Sequence, residues 1–319
     1  MSPGPAGGRI VFVAANASID RLHEVDRIEI GGIHRPDRVV AVQGGKGLNA
    51  ARAAAALGAT ATAVAIVGGR AGEWIADRLA AIGLEVSLVR TQSETRTCLS
   101  VLERSTGILT EFYEPGVSIE PGTWSRLEEA VARELSGGDV GAVTLSGSLP
   151  PGAPTDGYAR IIRLAAEQDV PTFVDAHGRE LEMAIAAYPS VVKVNAAEAG
   201  SAAGLEVVGP ADAIRAGRSI LDRGAGAVVV TLGAEGAIVV DGEAKWLLRG
   251  LATGGPYAVG SGDAFMAGMA AALVDGTRLV EAARLGIAAG IANTRMPGAG
   301  ELDPAAARRA IDEVVIEPA

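Results

Sequence analysis

Short apolar runs at 10–15, 61–67, 142–145, 172–174, 191–194 and 228–232 punctuate this chain and carry few charges. Runs of this length with little polar alternation fit strands buried on both faces. Between them, apolar positions recur every three or four residues, which predicts helices over 72–82, 123–135, 155–168, 211–223, 277–293 and 304–314. Gly83 and Gly224 follow two of these segments, where a helix end favours left-handed backbone. Strands alternating with helices predict the α/β class, a parallel sheet covered on both faces.

Two stretches break the rhythm. Residues 23–42 and 94–113 alternate polar and apolar side chains like half-exposed strands. They predict a small accessory sheet at one edge of the α/β body, placed to act as a lid and leaving a face that invites a partner subunit. No internal repeat, low-complexity tract or linker divides the chain, so a single domain over 1–319 is expected, with lid strands inserted at about 23–42 and 94–113.

At 319 residues and 49% hydrophobic content, the chain can bury a large core. Its net charge of -10 argues against nucleic acid or an anionic membrane as partner, since both need a broad basic face, whereas a small anionic substrate needs only a few placed cations. One cysteine, Cys98, excludes an internal disulfide and a cysteine zinc site, and it falls in an apparent strand where it packs. No apolar run reaches membrane-spanning length, and residues 1–9 read as a short leader without the apolar core of a signal peptide, so the expected compartment is the cytoplasm. His23, His34 and His177 are too scattered to suggest a metal site.

Candidate chemistry begins at Gly260-Ser261-Gly262-Asp263, at the mouth of an alanine-rich helical run over 264–274. Glycines let backbone N–H groups turn toward a ligand, and the unpaired amides of a helix N-terminus favour anions. Taken alone, the aspartate also reads as a helix cap. A second glycine turn, Gly44-Gly45-Lys46-Gly47-Leu48-Asn49, feeds another predicted helix over 50–57. One mouth carries a lysine and an asparagine, suited to a phosphorylated or polyhydroxylated ligand, and the other carries an acid able to take a proton. Together they suggest phosphoryl transfer.

With Asn16-Ala17-Ser18-Ile19-Asp20, Glu94-Thr95-Arg96-Thr97, Thr110-Glu111, Glu114-Pro115-Gly116, Ser146 to Gly152, Lys193-Val194-Asn195 with Glu198, and Thr231-Leu232-Gly233 with Gly236 added in order, the chain resembles the ribokinase-like (pfkB) carbohydrate kinases along nearly its whole length. It is most similar to the phosphosugar branch that includes 1-phosphofructokinase, tagatose-6-phosphate kinase and the minor 6-phosphofructokinase. The resemblance implies a three-layer α/β/α fold with a mostly parallel central sheet and a small β-sheet lid that joins a homodimer.

It also implies roles. Asp263 matches the catalytic base, and Gly260, Ser261 and Gly262 match the anion hole. Asp20, Asn16, Gly45, Asn49 and Ser146 match sugar-side positions, while Lys46 and Arg96 match those that receive the substrate's own phosphate. Lys193, Asn195, Thr231, Gly233, Gly236 and Asn293 match the ATP side, and Asn195 with Glu198 matches the pair that supports Mg2+. Without the resemblance, Asp20 reads as a strand-end turn residue, Lys46 and Arg96 as solvated cations, Asn195 as a helix cap and Glu198 as a surface acid. The chain departs from the family at Ala17, Val194 and Ala258, where proline, proline and threonine are common, and at Tyr113 in the lid.

The resulting expectation is an ATP- and Mg2+-dependent kinase that turns a hexose monophosphate into a bisphosphate, with fructose 1-phosphate favoured and tagatose 6-phosphate and fructose 6-phosphate close behind. The rivals are a kinase for an unphosphorylated sugar or nucleoside, against which Lys46 and Arg96 speak, and a non-catalytic sugar-phosphate-binding regulator, which would have no need of Asp263.

Overall fold

The computed structural model describes residues 7–242 and 244–319; most of the segment read as a leader lies outside the described residues. Strand β1 (Arg9–Ala14) leads into β2 (Ser18–Val25) and β3 (Arg38–Gly44), then helix α1 (Lys46–Ala56). The chain continues through β4 (Ala61–Gly68), α2 (Gly69–Ala81) and β5 (Glu85–Thr91), and leaves the body again as β6 (Arg96–Glu103) and β7 (Ile108–Tyr113). It returns by α3 (Thr123–Leu135), β8 (Val140–Ser146), α4 (Gly157–Ala166), β9 (Thr172–Asp175), α5 (Gly178–Ile185), β10 (Val191–Asn195), α6 (Ala196–Ala203), α7 (Pro210–Asp222) and β11 (Val228–Thr231). The last elements are β12 (Ala237–Asp241), β13 (Ala244–Gly250), α8 (Ser261–Val274), α9 (Leu279–Asn293), α10 (Pro304–Ile311) and β14 (Val314–Pro318).

Ten strands form the main sheet in the order β14-β13-β12-β11-β10-β9-β8-β1-β4-β5. From β5 to β11 every pairing is parallel, and β12, β13 and β14 close that side antiparallel. Strand β1 shows why the sheet needs two helical layers. Its Ile10, Phe12 and Ala14 enter one buried cluster with α1, α8 and α9, while Val11 and Val13 enter another with α3, α4 and α7. Side chains that alternate between two cores make the strand apolar throughout, as the sequence pattern required. Helix α8 is buried almost all round, which suits its alanine and glycine content: a Cβ on Gly268 would lie 2.8 Å from the carbonyl oxygen of Leu285, so α8 and α9 meet at backbone distance.

The smaller sheet has the order β3-β2-β6-β7. Its central pair, β2 and β6, is parallel, with antiparallel neighbours on both sides. Strand β2 begins earlier than the polar alternation suggested, at Ser18, β6 begins slightly later, at Arg96, and residues 26–37 form a connection rather than strand. Helices α1 and α8 also start upstream of the predicted runs, so Lys46 to Asn49 and Ser261 to Asp263 are first helical turns rather than preceding loops. Among the described residues, no helix is long and apolar enough to cross a membrane.

Candidate active site

Strands β1, β8, β9 and β10 end at the same rim of the parallel sheet, the edge at which open α/β sheets collect ligands. A cavity of about 570 Å³ lies there, walled by that rim, the first turns of α1 and α8, and β6 and β7 of the small sheet. A second hollow of about 440 Å³ adjoins it, lined by glycines with Phe265, Ile287 and Ile291. Thr231, Gly233, Ala258 and Gly262 belong to both walls. The polar chamber therefore meets the apolar one at the N-terminus of α8.

That N-terminus depends on Gly260. It caps α8 at φ 85°, and a Cβ there would lie 2.3 Å from the amide nitrogen of Gly300. Left-handed backbone and an absent side chain are both required. The Ser261 amide donates to the Ala258 carbonyl at 3.2 Å, and Gly262 and Asp263 stand in the cavity wall. Gly262 also leaves room for a cation, since a Cβ on it would be 3.2 Å from Lys193 Nζ. The anion-favouring end of a helix thus has an ammonium beside it.

Asp263 is no helix cap. It is the third residue of α8, 7% exposed, and its Oδ2 accepts a hydrogen bond from Asn49 Nδ2 at 2.9 Å. Burial pushes its carboxyl up to about 7; Asp175 adds to the rise, and Lys46, Lys193 and the Asn49 amide restrain it. The same Asn49 nitrogen donates to Asp20 Oδ2 at 3.3 Å, and Ser18 Oγ donates to Asp20 Oδ1 at 2.6 Å. One amide joins the two carboxylates.

Lys46 and Arg96 line the same cavity but bond to different partners. Lys46 Nζ lies 2.8 Å from Asp175 Oδ1 and 3.6 Å from Glu198 Oε1, so its first-turn position on α1 carries it toward β9 and α6. Burial works against its charge, but Asp175, Asp263 and Glu198 outweigh that and raise its pKa. Arg96 donates to the carbonyls of Glu114 at 3.0 Å and Asn16 at 3.2 Å, and its buried Nε has no partner. Asn16 in turn donates to Ser148 Oγ at 3.0 Å. The arginine therefore stands with Asn16 and Ser148, and the lysine with Asp175 and Glu198.

Asn195 and Glu198 form a capping box on α6, each side chain accepting from the other's backbone N–H at 2.9 Å. The capping and pocket readings hold together, because both residues also line the cavity. Ser146 Oγ is buried there without a partner. Thr231, Gly233 and Gly236 line the apolar hollow, with Gly233 in a short 3-10 turn. Asn293 differs from the expectation. It is fully buried, outside both walls, and ties the Val259 carbonyl at 3.4 Å to the Gly300 amide at 3.3 Å, so it braces the turn before α8 from behind.

The wall also holds an acid that the sequence reading missed and a histidine to which it gave no role. Asp175, at the end of the four-residue β9, is fully buried between Lys193 and Lys46. Burial would raise its carboxyl, but the two ammonium groups hold it at about 2. His177, the residue before α5, stands in the same wall, whereas His23 is on strand β2 of the small sheet and His34 shares a bend with Glu29. No motif surrounds Asp175; only its place at a strand end, recognisable once β9 is known, would have found it.

A family model described as pfkB family carbohydrate kinase matches residues 10–306. The ATP-dependent 6-phosphofructokinase isozyme 2 of Escherichia coli is 33% identical over 292 residues, covering 91% of this chain and 94% of that protein. The 1-phosphofructokinase of Xanthomonas campestris is 31% identical over 312 residues, covering 96% and 97%. Among solved structures, the tetrameric inhibited form of phosphofructokinase-2 from Escherichia coli superposes with a TM-score of 0.87 at 31% identity, covering 96% of this chain and 98% of that one.

Proposed function

The chain belongs to the pfkB family of carbohydrate kinases, and from that premise we propose that it transfers the γ-phosphoryl group of ATP to a hydroxyl of a hexose monophosphate, fructose 1-phosphate first among them. The observation that carries this reading is the Asn49 amide. It bonds to the carboxylates of both Asp20 and Asp263 in the wall of the polar chamber, and Asp263 follows Gly262, where that chamber meets the apolar one. Asp20 accepts sugar hydroxyls. Asp263 takes the proton of the attacking hydroxyl as its oxygen bonds to phosphorus and the bond to the ADP oxygen breaks, the electron pair leaving with ADP. The amides at the start of α8 and the ammonium of Lys193 stabilise charge on the group in transit. The apolar hollow, with Gly233 and Gly236 in its wall, would take the base of ATP, and Gly262 would meet its phosphates.

Mg2+ fits the residues present in one way. Among the described residues, no group of three or more histidine, cysteine, aspartate or glutamate side chains is placed to hold a metal. Mg2+ needs few protein ligands, because it keeps water and takes phosphate oxygens. Glu198, supported by Asn195, would hold it in that manner; the ion supplies charge neutralisation at the nucleotide phosphates.

Release of ADP should follow addition of fructose 1-phosphate, fructose 6-phosphate or tagatose 6-phosphate, with fructose 1-phosphate giving the highest kcat/KM. Equal activity on unphosphorylated fructose would sink the assignment. Arg96→Ala is expected to raise KM for the phosphosugar about 10- to 100-fold, the scale of one lost charge-assisted contact, and to leave KM for ATP nearly unchanged. Lys46→Ala carries a different expectation after its placement beside Asp175 and Glu198: its loss should fall mainly on the nucleotide side.

The chain also pairs with a second copy through the small sheet. Val39, Ile108 and Phe112 are each more than half exposed there, an apolar face that association would cover. Sedimentation at micromolar concentration should give a dimer or a higher even assembly, and a fully active monomer would refute the contact.

A further inference from the structure

Arg52 sits one turn beyond Asn49 on α1, is 4% exposed, and lines neither chamber. Its Nε donates to the Gln43 carbonyl at 3.0 Å. One terminal nitrogen donates to Asn49 Oδ1 at 3.0 Å and also to the Ala299 carbonyl, and the other meets the Glu301 carboxylate. A guanidinium only donates, so the Asn49 amide can face it only with its oxygen. That orientation sends the Asn49 NH2 group to the two carboxylates, Asp263 at 2.9 Å and Asp20 at 3.3 Å. The opposite flip would set the amide oxygen against both carboxylates and NH2 against a cation.

The Ala299 contact reaches a second part of the machinery. Ala299 and Gly300 pack against Gly260 so closely that a Cβ there would strike them. The same guanidinium therefore braces the loop that seats the anion hole and orients the amide that serves the base. Packing alone does not require this, since an apolar side chain of similar volume fills a buried site at lower desolvation cost.

We infer that Arg52 is a positioning residue of this active site: it fixes Asn49 as the joint donor to Asp263 and Asp20 and holds the Ala299 carbonyl behind Gly260. The inference rests on the reading of Asp263 as proton acceptor and Asp20 as sugar ligand. The groups facing Asp263 are Lys46 and Asn49 from α1, with Arg52 behind them, Lys193 from β10, Asp175 from β9 and Asp20 from β2. An Arg52→Lys variant keeps the positive charge and loses the planar fork, so its effect isolates orientation from charge.

The experiment compares parent, R52K and E301Q by pH profiles of kcat/KM and by calorimetric titration of fructose 1-phosphate without nucleotide. For R52K, kcat/KM for the sugar phosphate should fall about 10- to 100-fold, with KM for ATP nearly constant. The acid limb of the profile should move up by about one pH unit, because an Asp263 that loses its Asn49 donor holds its proton about tenfold more tightly. Sugar phosphate should also bind more weakly, through Asp20. E301Q retains Arg52 and loosens it, so it should shift the limb and the affinity in the same direction and by less; it carries the test if R52K does not fold. An unmoved acid limb with parent-like sugar affinity, whatever the melting temperature, would reduce Arg52 to a packing residue. Failure of the parent to bind any sugar phosphate would instead sink the proposed function, so the two failures are separable.

Discussion

Replacing Asp263 by asparagine is expected to lower kcat by at least about 10²-fold while ATP and phosphosugar still bind, the usual scale for losing a general base. The expectation comes from the placement of its carboxylate, buried at the mouth of α8 and bonded to Asn49. Its pKa of about 7 adds a pH signature: below that value the carboxyl keeps its proton and accepts none, so the parent should lose activity as pH falls through neutrality. The sign of the stability effect is opposite to that of an ordinary ion-paired aspartate. A raised carboxyl pKa means that the folded state binds the proton more tightly than the unfolded state does; the stabilisation is complete below the unfolded value and is lost as pH rises through about 7. The Asp263→Asn variant has no carboxyl to ionise and carries no such loss, so at pH 8 it should melt no lower than the parent. Turnover within a few-fold of the parent would make Asp263 a bystander.

Gly260→Ala should lower kcat by about 10²- to 10³-fold, the range for losing one donor of an anion hole, and should lower Tm as well. The backbone at φ 85° disfavours any Cβ, and the atom added would lie 2.3 Å from Gly300 N and 2.7 Å from Ala299 Cα. Both neighbours are backbone, so the strain can be relieved only by shifting the loop or the start of α8. Gly262→Ala provides the contrast. Its new Cβ would meet only the ammonium end of the Lys193 side chain, at 3.2 Å. It should fold as well as the parent and lose activity by displacing the ammonium. Parallel measurements of kcat and melting would separate the two; equal tolerance of alanine at both positions would refute the role given to the turn.

The parallel sheet and the two glycine turns were legible because each rests on a local rule: apolar runs for strands buried on both faces, and glycines where helix amides meet a ligand. Asp20, Asn49, Arg96, Lys193 and Asp263 came from motifs with enough local order to be noticed, and all stand in one wall. Asp175 was missed because nothing in a four-residue strand marks its last residue as a partner for two lysines. The direction of Lys46 was beyond local reasoning for the same cause, since Asp175 and Glu198 lie far along the chain. Asn293 misled because a polar residue near a site in sequence can face the scaffold rather than the ligand. The antiparallel edge formed by β12, β13 and β14 escaped because β13 and β14 mix apolar and charged residues, and the apolar run of β12 does not itself tell which way the strand pairs.

Strand β1 lies between β4 and β8, with Ile10 beside Ala61 on one side and Ala142 on the other. During translation the first neighbour follows quickly and the second does not. At about 5–20 residues per second, the nascent β1 waits roughly ten seconds for β8. Through that interval the growing chain carries the apolar edge of a half-made parallel sheet, a long-range pairing that folds slowly and invites wrong partners. The proposed sugar ligands Asp20 on β2 and Asn49 on α1 emerge early, whereas α8, which bears Asp263, comes only after β13. With the roles proposed above, the protein acquires its contacts for substrate well before its chemistry: catalytic competence waits for α8, and the last strand of the sheet, β14, follows still later.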